Sequence, residues 1–485
     1  MKHYRIIFLY TILTTMFWSC SLDINVDPNN PVSADVRELL PSGQLTSIEP
    51  FANLINAITS AAVQTRVSTR YENYNVDRTT INNIWINELY SGGLKDLETV
   101  IIDGTEQENW HYVGVAKLMK AYIFSMMVDL WNDIPYTDAF DPEIQEIGYD
   151  SGSNVYAELL ALIDEAISDL DKTSTTSPGA DDLIYQGDLE NWKRMGRTLQ
   201  LKMYNQIRLV DPGAKDRVQA LISAGTTIQE ASQDFQLQFG SSAAPENRLP
   251  LFVNDYITRL DNRISLYFFN TMDGNNDPRI PHYIYNQTPG TFVGRISGDP
   301  NNLATFEDQD TRSFHGLYPA GGKYDDGLGG VTSLDSGEKG AGVFRMMTNA
   351  MRIFIEAEAV ATMGITGSAS LAVLFEQGIR ASMGKVNELG ISPISSDAID
   401  TYVNDRMAEF AAGDDAEKLR LIMMEKYVLQ FGNGMEQYND WRRTGIPNDL
   451  DLDFITNVTL NRFPYPSSEN PPTLPINSDF VFWDN

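Results

Sequence analysis

Cysteine is all but missing: 485 residues contain one, Cys20. No internal disulfide can therefore staple this chain. Histidine is scarce too, with four in the chain. His3 lies in the N-terminal leader and His111, His282 and His315 are far apart, so a zinc site or histidine triad has only scattered candidates. His111 follows Trp110 at a helix start and reads as structural, whereas His282 and His315 lie in loop-rich sequence where a ligand could reach them. No HExxH, CxxC, GxSxG or GxxxxGK[ST] pattern occurs. Positive charge is also short, 36 Lys+Arg against 66 Asp+Glu for a net charge of −30. That balance excludes nucleic acid, which needs a basic face, and argues against attachment to anionic lipid by charge. After the N-terminus no segment reaches the roughly 18 uninterrupted apolar residues of a spanning helix.

What is present begins at the N-terminus. Lys2, His3 and Arg5 precede the apolar run "IIFLYTILTTMFW", the two leading regions of an export signal. Cys20 stands directly behind it in "FWSCSLD". Residues 1–19 are thus expected to be a lipoprotein signal peptide, with Cys20 as the lipid-carrying first residue of the mature chain. Several acyl chains anchor stably where one binds only marginally. Residues 20–33, polar and carrying Pro28 and Pro31, read as a tether.

Helical periodicity dominates the body. Apolar residues recur at three- and four-residue steps over Leu45–Val67, and further helices are expected at Thr79–Ile102, Asn109–Trp131, Ser153–Leu170 and Asp188–Val210. Asp188 is the expected N-cap of the last of these, and "DPG" at Asp211–Gly213 its stop. Between Gln236 and Gly342 lie 14 of the 35 glycines and many Asp, Asn and Pro turns. Helices resume at Val343–Met363, Ser368–Asn387, Ser396–Ala412 and Asp415–Phe431. The expected fold is mainly α: a tetratricopeptide-like scaffold of helical hairpins over about 34–235 and 343–445, in a single domain of residues 34–485. A loop-rich, ligand-binding excursion fills about 236–342, and 446–485 is irregular.

The stretch "AYIFSMMVDLWNDIPYTDAF" (Ala121–Phe140) places Asp129, Asp133 and Asp138 around Trp131 and looks catalytic. Pro135 and the turn-forming Asn132 and Asp133 favour a helix end and corner instead, with Trp131 in the core. Glu356 and Glu358 are two apart in a helix and face different ways, a poor acid–base pair. "DGNNDPR" (Asp273–Arg279) opens like a calcium loop, but its twelfth position is Ile284 rather than a bidentate Glu. A turn is the better reading, and no metal or cofactor is assigned. The loops combine aromatic rings with planar polar groups, which suits the apolar face and the hydroxyl pairs of a sugar. The candidates for ligand contact are Tyr71, Tyr74 and Asn75 in "RYENYNVDR", then Tyr283, Tyr285, Arg295, Tyr318 and Tyr324 in the excursion. Trp85 falls on a helix and reads as core.

Eight segments in one order carry a family resemblance. Besides Cys20 and Ala121–Phe140 they are "IWINELYSGGLKDLETVI" (Ile84–Ile101), "YAELLALIDEAISDL" (Tyr156–Leu170), "WKRMGRTLQLKMYNQIRL" (Trp192–Leu209), "NDPRI" (Asn276–Ile280), "NGMEQYNDWRRTGIP" (Asn433–Pro447) and "RFPYPSSE" (Arg462–Glu469). With them the chain resembles the SusD/RagB outer-membrane lipoproteins. The resemblance implies a non-enzymatic, cell-surface binder of oligosaccharide, or in some members of peptide. Such proteins are lipid-anchored and sit over a TonB-dependent (SusC-like) transporter. The competing expectation is a secreted enzyme acting on glycans or peptides.

Overall fold

The computed structural model describes residues 34–68, 76–144, 147–258, 262–299, 310–327, 339–454, 461–469 and 480–484. The first helix, α1 (Val36–Ala52), starts at Asp35, whose carboxylate accepts from the Arg37 backbone N–H at 2.9 Å. It stops at Asn53, where the backbone leaves helical geometry, and α2 (Leu54–Ala62) follows. The single helix expected over Leu45–Val67 is therefore two. The chain then forms a short strand, β1 (Arg66–Ser68).

The expected Thr79–Ile102 helix also resolves into two parts. A π-helical stretch, Ile84–Gly93, breaks at Gly92 and gives way to α3 (Leu94–Glu106). The cause is a close crossing with α1: a Cβ on Gly93 would lie 2.5 Å from the Ser47 backbone nitrogen. Wider helix geometry and two glycines let the backbones approach there.

The next helices follow the sequence closely. They are α4 (Trp110–Trp131), α5 (Gly152–Leu170), α6 (Leu189–Gln206) and α7 (Ala214–Ala224). Asp188 caps α6, accepting from the Asn191 N–H at 3.1 Å. Each of α3 to α7 packs on its neighbour in sequence, so hairpins are the repeating unit. α4 is buried on nearly every side, which explains its almost unbroken apolar run. Trp85 packs edge-on against Trp131 at 4.9 Å and is core, as expected.

The acidic corner after α4 is structural. Asn132 turns the chain with φ +71°, and Asp133 accepts from the Gly152 N–H at 3.0 Å. Asp129 is fully buried and receives Asn439 Nδ2 at 2.8 Å, Trp483 Nε1 at 2.9 Å and the Tyr156 hydroxyl. Trp131 Nε1 donates to the Pro464 carbonyl at 3.0 Å, and the Tyr465 hydroxyl donates to the carbonyls of Trp131 and Asp133. The irregular C-terminal residues thus clamp this corner.

Among the described residues, six short strands in and beside the excursion form three separate antiparallel pairs. β1 pairs with β3 (Asn262–Ile264), with Ser68 opposite Asn262. β2 (Phe235–Gln238) pairs with β6 (Val343–Met347), and β4 (Ile284–Asn286) with β5 (Ser313–His315). Residues 343–347, expected as the first turns of a helix, are therefore a strand. Val343 and Phe344 suit a pleated surface, and Thr348 caps the helix only afterwards, accepting from the Met351 N–H at 3.2 Å. Between β3 and β4 the chain forms α8 (Leu266–Asp273).

The scaffold closes with α9 (Asn349–Met363), α10 (Leu371–Asn387), α11 (Ser396–Ala412), α12 (Asp415–Leu429) and α13 (Gly434–Thr444). Glu358, fully buried on α9, ties that helix to α6, α12 and α13. It accepts from both terminal nitrogens of Arg443 and from Asn205 Nδ2 at 3.0 Å, with Arg208 at 3.2 Å. Burial opposes its charge, but Arg443, Arg208 and Lys426 outweigh burial and hold the carboxyl well below the usual range. Glu356 faces Arg352 at 2.7 Å, so the two glutamates do serve different neighbours.

Candidate functional site: a loop-bearing face on an aromatic slab

The excursion is held by one buried acid. Asp255 accepts from Asn262 Nδ2 at 2.9 Å, lies 2.6 Å from His315 Nδ1, and pairs with Arg66 at 3.6 Å. Arg312 donates to the main-chain carbonyls of Asn262, at 2.7 Å, and of Asp255 itself. Burial raises the Asp255 pKa, yet His315, Arg66 and Arg312 together hold it well below the carboxylate range. Burial pushes His315 down despite Asp255.

This hub gathers one corner. Ser68 ends β1, Asn262 begins β3 and Arg312 precedes β5, and all three meet around Asp255. Ser68 and Asn262 thus lie side by side as paired strand ends, with Arg312 bonded to the Asn262 carbonyl. His315 joins this hub to a slab of rings. Tyr318 stacks on Tyr283 at 4.8 Å, Tyr283 on Phe431 at 5.6 Å, and both His315 (4.9 Å) and Phe268 (4.2 Å) on Phe431. The Arg345 guanidinium lies 3.8 Å above the Tyr318 ring.

The eight residues singled out for ligand contact divide into three groups. Tyr71, Tyr74 and Asn75 lie outside the described residues, as does Cys20. Tyr283, Tyr285, Tyr318 and Arg295 are all buried, at 4% exposure or less. Tyr283 and Tyr318 are brought together in the slab, Tyr285 packs edge-on against Phe314 at 5.6 Å, and the main chain of Arg295 extends β3. All four are interior side chains in this conformation. Tyr324 alone is half-buried, tilted against His282 at 4.7 Å. Burial pushes His282 down to about 4.

Sequence reasoning did not find Asp255 as the hub. "VNDYIT" carries no signal for it, because every partner comes from another part of the chain. The Asp273–Arg279 turn likewise became a structural centre: Arg279, fully buried, pairs with Asp277 at 2.5 Å and Glu425 at 2.9 Å.

His315 with Asp255 has the form of an oriented base. Yet its ring lies flat on Phe431, and among the described residues no Ser, Thr or Cys side chain is hydrogen-bonded to it. The described residues also hold no group of three or more His, Cys, Asp or Glu placed to bind a metal.

Comparison with known proteins fits this architecture. Residues 28–466 match the SusD-like family model described as "Starch-binding associating with outer membrane". A SusD homologue from Bacteroides uniformis superposes with a TM-score of 0.75 at 18% identity, covering 93% of this chain and 100% of its own. A chitin-binding SusD homologue from Flavobacterium johnsoniae gives 0.69 at 20% identity, over 93% and 96% of the two chains. A SusD/RagB family protein from Bacteroides thetaiotaomicron gives 0.72 at 20% identity, over 93% and 99%. No curated protein matches in sequence. The helical hairpins, the loop-bearing face and a family match spanning nearly the whole chain lead to one conclusion: this protein belongs to the SusD-like family.

Proposed function

We propose that this protein is a cell-surface lipoprotein that captures oligosaccharide and delivers it to a TonB-dependent transporter of the outer membrane. The observation that carries the reading is the match to a starch-binding, outer-membrane-associated family across residues 28–466. The likeness to a chitin-binding homologue supports a glycan as ligand. Cys20 is the proposed lipid anchor. No described helix is long and apolar enough to cross a membrane, which accords with attachment through lipid.

Tyr71, Tyr74 and Asn75 are the proposed primary contacts, with Tyr324 at the rim. Tyr283, Tyr285, Tyr318 and Arg295 act from beneath by fixing the strand ends that carry the loops. A binding role is favoured over hydrolysis because the buried acids are engaged by structural partners: Asp129, Asp255 and Glu358 each hold several donors. The test is a panel of neutral oligosaccharides incubated with the purified protein. Saturable binding without product is expected, weakened by Tyr71→Ala and Tyr74→Ala at unchanged melting temperature. Turnover that disappears on substituting a carboxylate would replace this reading with an enzymatic one. Cys20→Ala should release the protein from membranes; full retention would refute the anchor.

A further inference from the structure

A cavity of about 500 Å³ lies on the scaffold where the π-helical stretch meets the corner after α4. Its apolar lining is Trp85, Ile86, Tyr90, Phe140, Ile147 and Tyr149. The rings are contiguous: Trp85 and Tyr90 are 5.2 Å apart, Tyr90 and Phe140 6.2 Å. Their polar ends are tied back, with the Tyr90 hydroxyl donating to the Pro135 carbonyl at 2.7 Å and Tyr149 to Glu469 at 2.5 Å. The ring wall is therefore fixed before anything binds. Arg78 holds the segment that supplies Glu469, donating to the carbonyls of Tyr465 at 2.8 Å and Pro466 at 3.1 Å.

The rim supplies what the wall lacks. Ser91 Oγ and Lys95 Nζ line the cavity and make no hydrogen bond or ion pair among the described residues. Lys95 Nζ rests 5.9 Å from the Phe140 ring centre. Asp141 and Glu469 add acceptors, so the rim carries both signs of charge and pulls strongly on neither anion nor cation. Another described cavity shows the contrast. In the cavity of about 300 Å³ between α8 and the α11–α12 pair, Tyr267 is bonded to Asp449, and Arg406 to Asn275 and Glu409.

An acyl chain would leave the rim groups unused, and a charged ligand would meet opposing charges. A pyranose fits both parts, its C–H face against the rings and its hydroxyls toward Ser91, Lys95 and the two carboxylates. We infer that this cavity is a second sugar-binding site, taking one or two pyranose units of a neutral oligosaccharide. It rests on the glycan-binding reading above, and its described lining contains none of the residues proposed there as ligand contacts.

The test is a footprint of Lys95. The full-length protein is treated with an amine-acylating reagent, with and without a panel of neutral oligosaccharides that includes maltoheptaose and chitohexaose, and Lys95 is followed by mass spectrometry. A sugar that binds should slow acylation of Lys95 several-fold. Ile147→Glu, at a position 42% exposed and hence tolerant of charge, should remove that protection without changing the melting temperature. Tyr74→Ala should leave it in place. If binding is present and weakened by Tyr74→Ala while Lys95 reacts at one rate throughout, the second site is refuted and the glycan reading stands. If no sugar in the panel binds at all, both fall.

Discussion

The helical scaffold and the excursion are each built around a buried acid, and they use it differently. Glu358 joins α9 to side chains from three other helices or their ends, at Asn205, Arg208, Lys426 and Arg443, and each helix is periodic and capped in its own right. Asp255 and Arg312 join strands of three residues, β1, β3 and β5, that have no independent stability. In the scaffold a polar centre fixes the arrangement of elements that exist without it. In the excursion it creates the elements themselves.

The largest test of that contrast is Glu358→Gln. Losing the counter-charge to Arg443 and Arg208 in a dry interior should cost about 3–5 kcal/mol, read as a global shift in chemical denaturation. Asp255→Asn breaks a similar pair and should cost about 3 kcal/mol. Its signature differs: hydrogen exchange should rise at 262–264 and 313–315 while α3–α6 stay protected. Equal exchange throughout would erase the distinction between the two regions. Gly93→Ala tests the scaffold at its tightest crossing and should cost about 1–3 kcal/mol from overpacking against Ser47.

A pH titration probes the excursion more gently. An unfolded His282 takes up a proton near pH 6.5, and the folded one only near pH 4. Between those values the unfolded chain binds more protons, so this group's contribution is present above pH 6.5 and lost as the pH falls to 4. His282→Gln should flatten stability over that window. The smallest effect is expected for Tyr318→Phe. The Tyr318 hydroxyl is buried without a hydrogen-bond partner among the described residues, so its removal should change stability by less than about 1 kcal/mol. Sugar affinity should also hold, because the ring supports the face without presenting its hydroxyl there.

Legibility in the sequence followed the same division. Helix ends at Asp188, Trp131, Ser396–Ala412 and Asn387 could be read because caps and periodicity act within a few residues. The Val343–Met347 strand could not, since its partner Phe235–Gln238 lies more than a hundred residues away and the local pattern also suits a helix. The site candidates shared that limit. Tyr283 and Tyr318 have the composition of ligand contacts, and only Phe431, brought in from the far end of α12, makes them interior.

The sequence by itself determined a mainly helical chain of family type, a single cysteine, and a loop-rich interval where helical periodicity stops. Those properties depend on composition and on neighbours a few residues apart. The tertiary structure alone decided which tyrosines are buried, which acid anchors the corner of β1, β3 and β5, and where rings from the π-helical stretch and the α4 corner enclose a cavity. Each of these depends on packing between distant segments, which no local window contains.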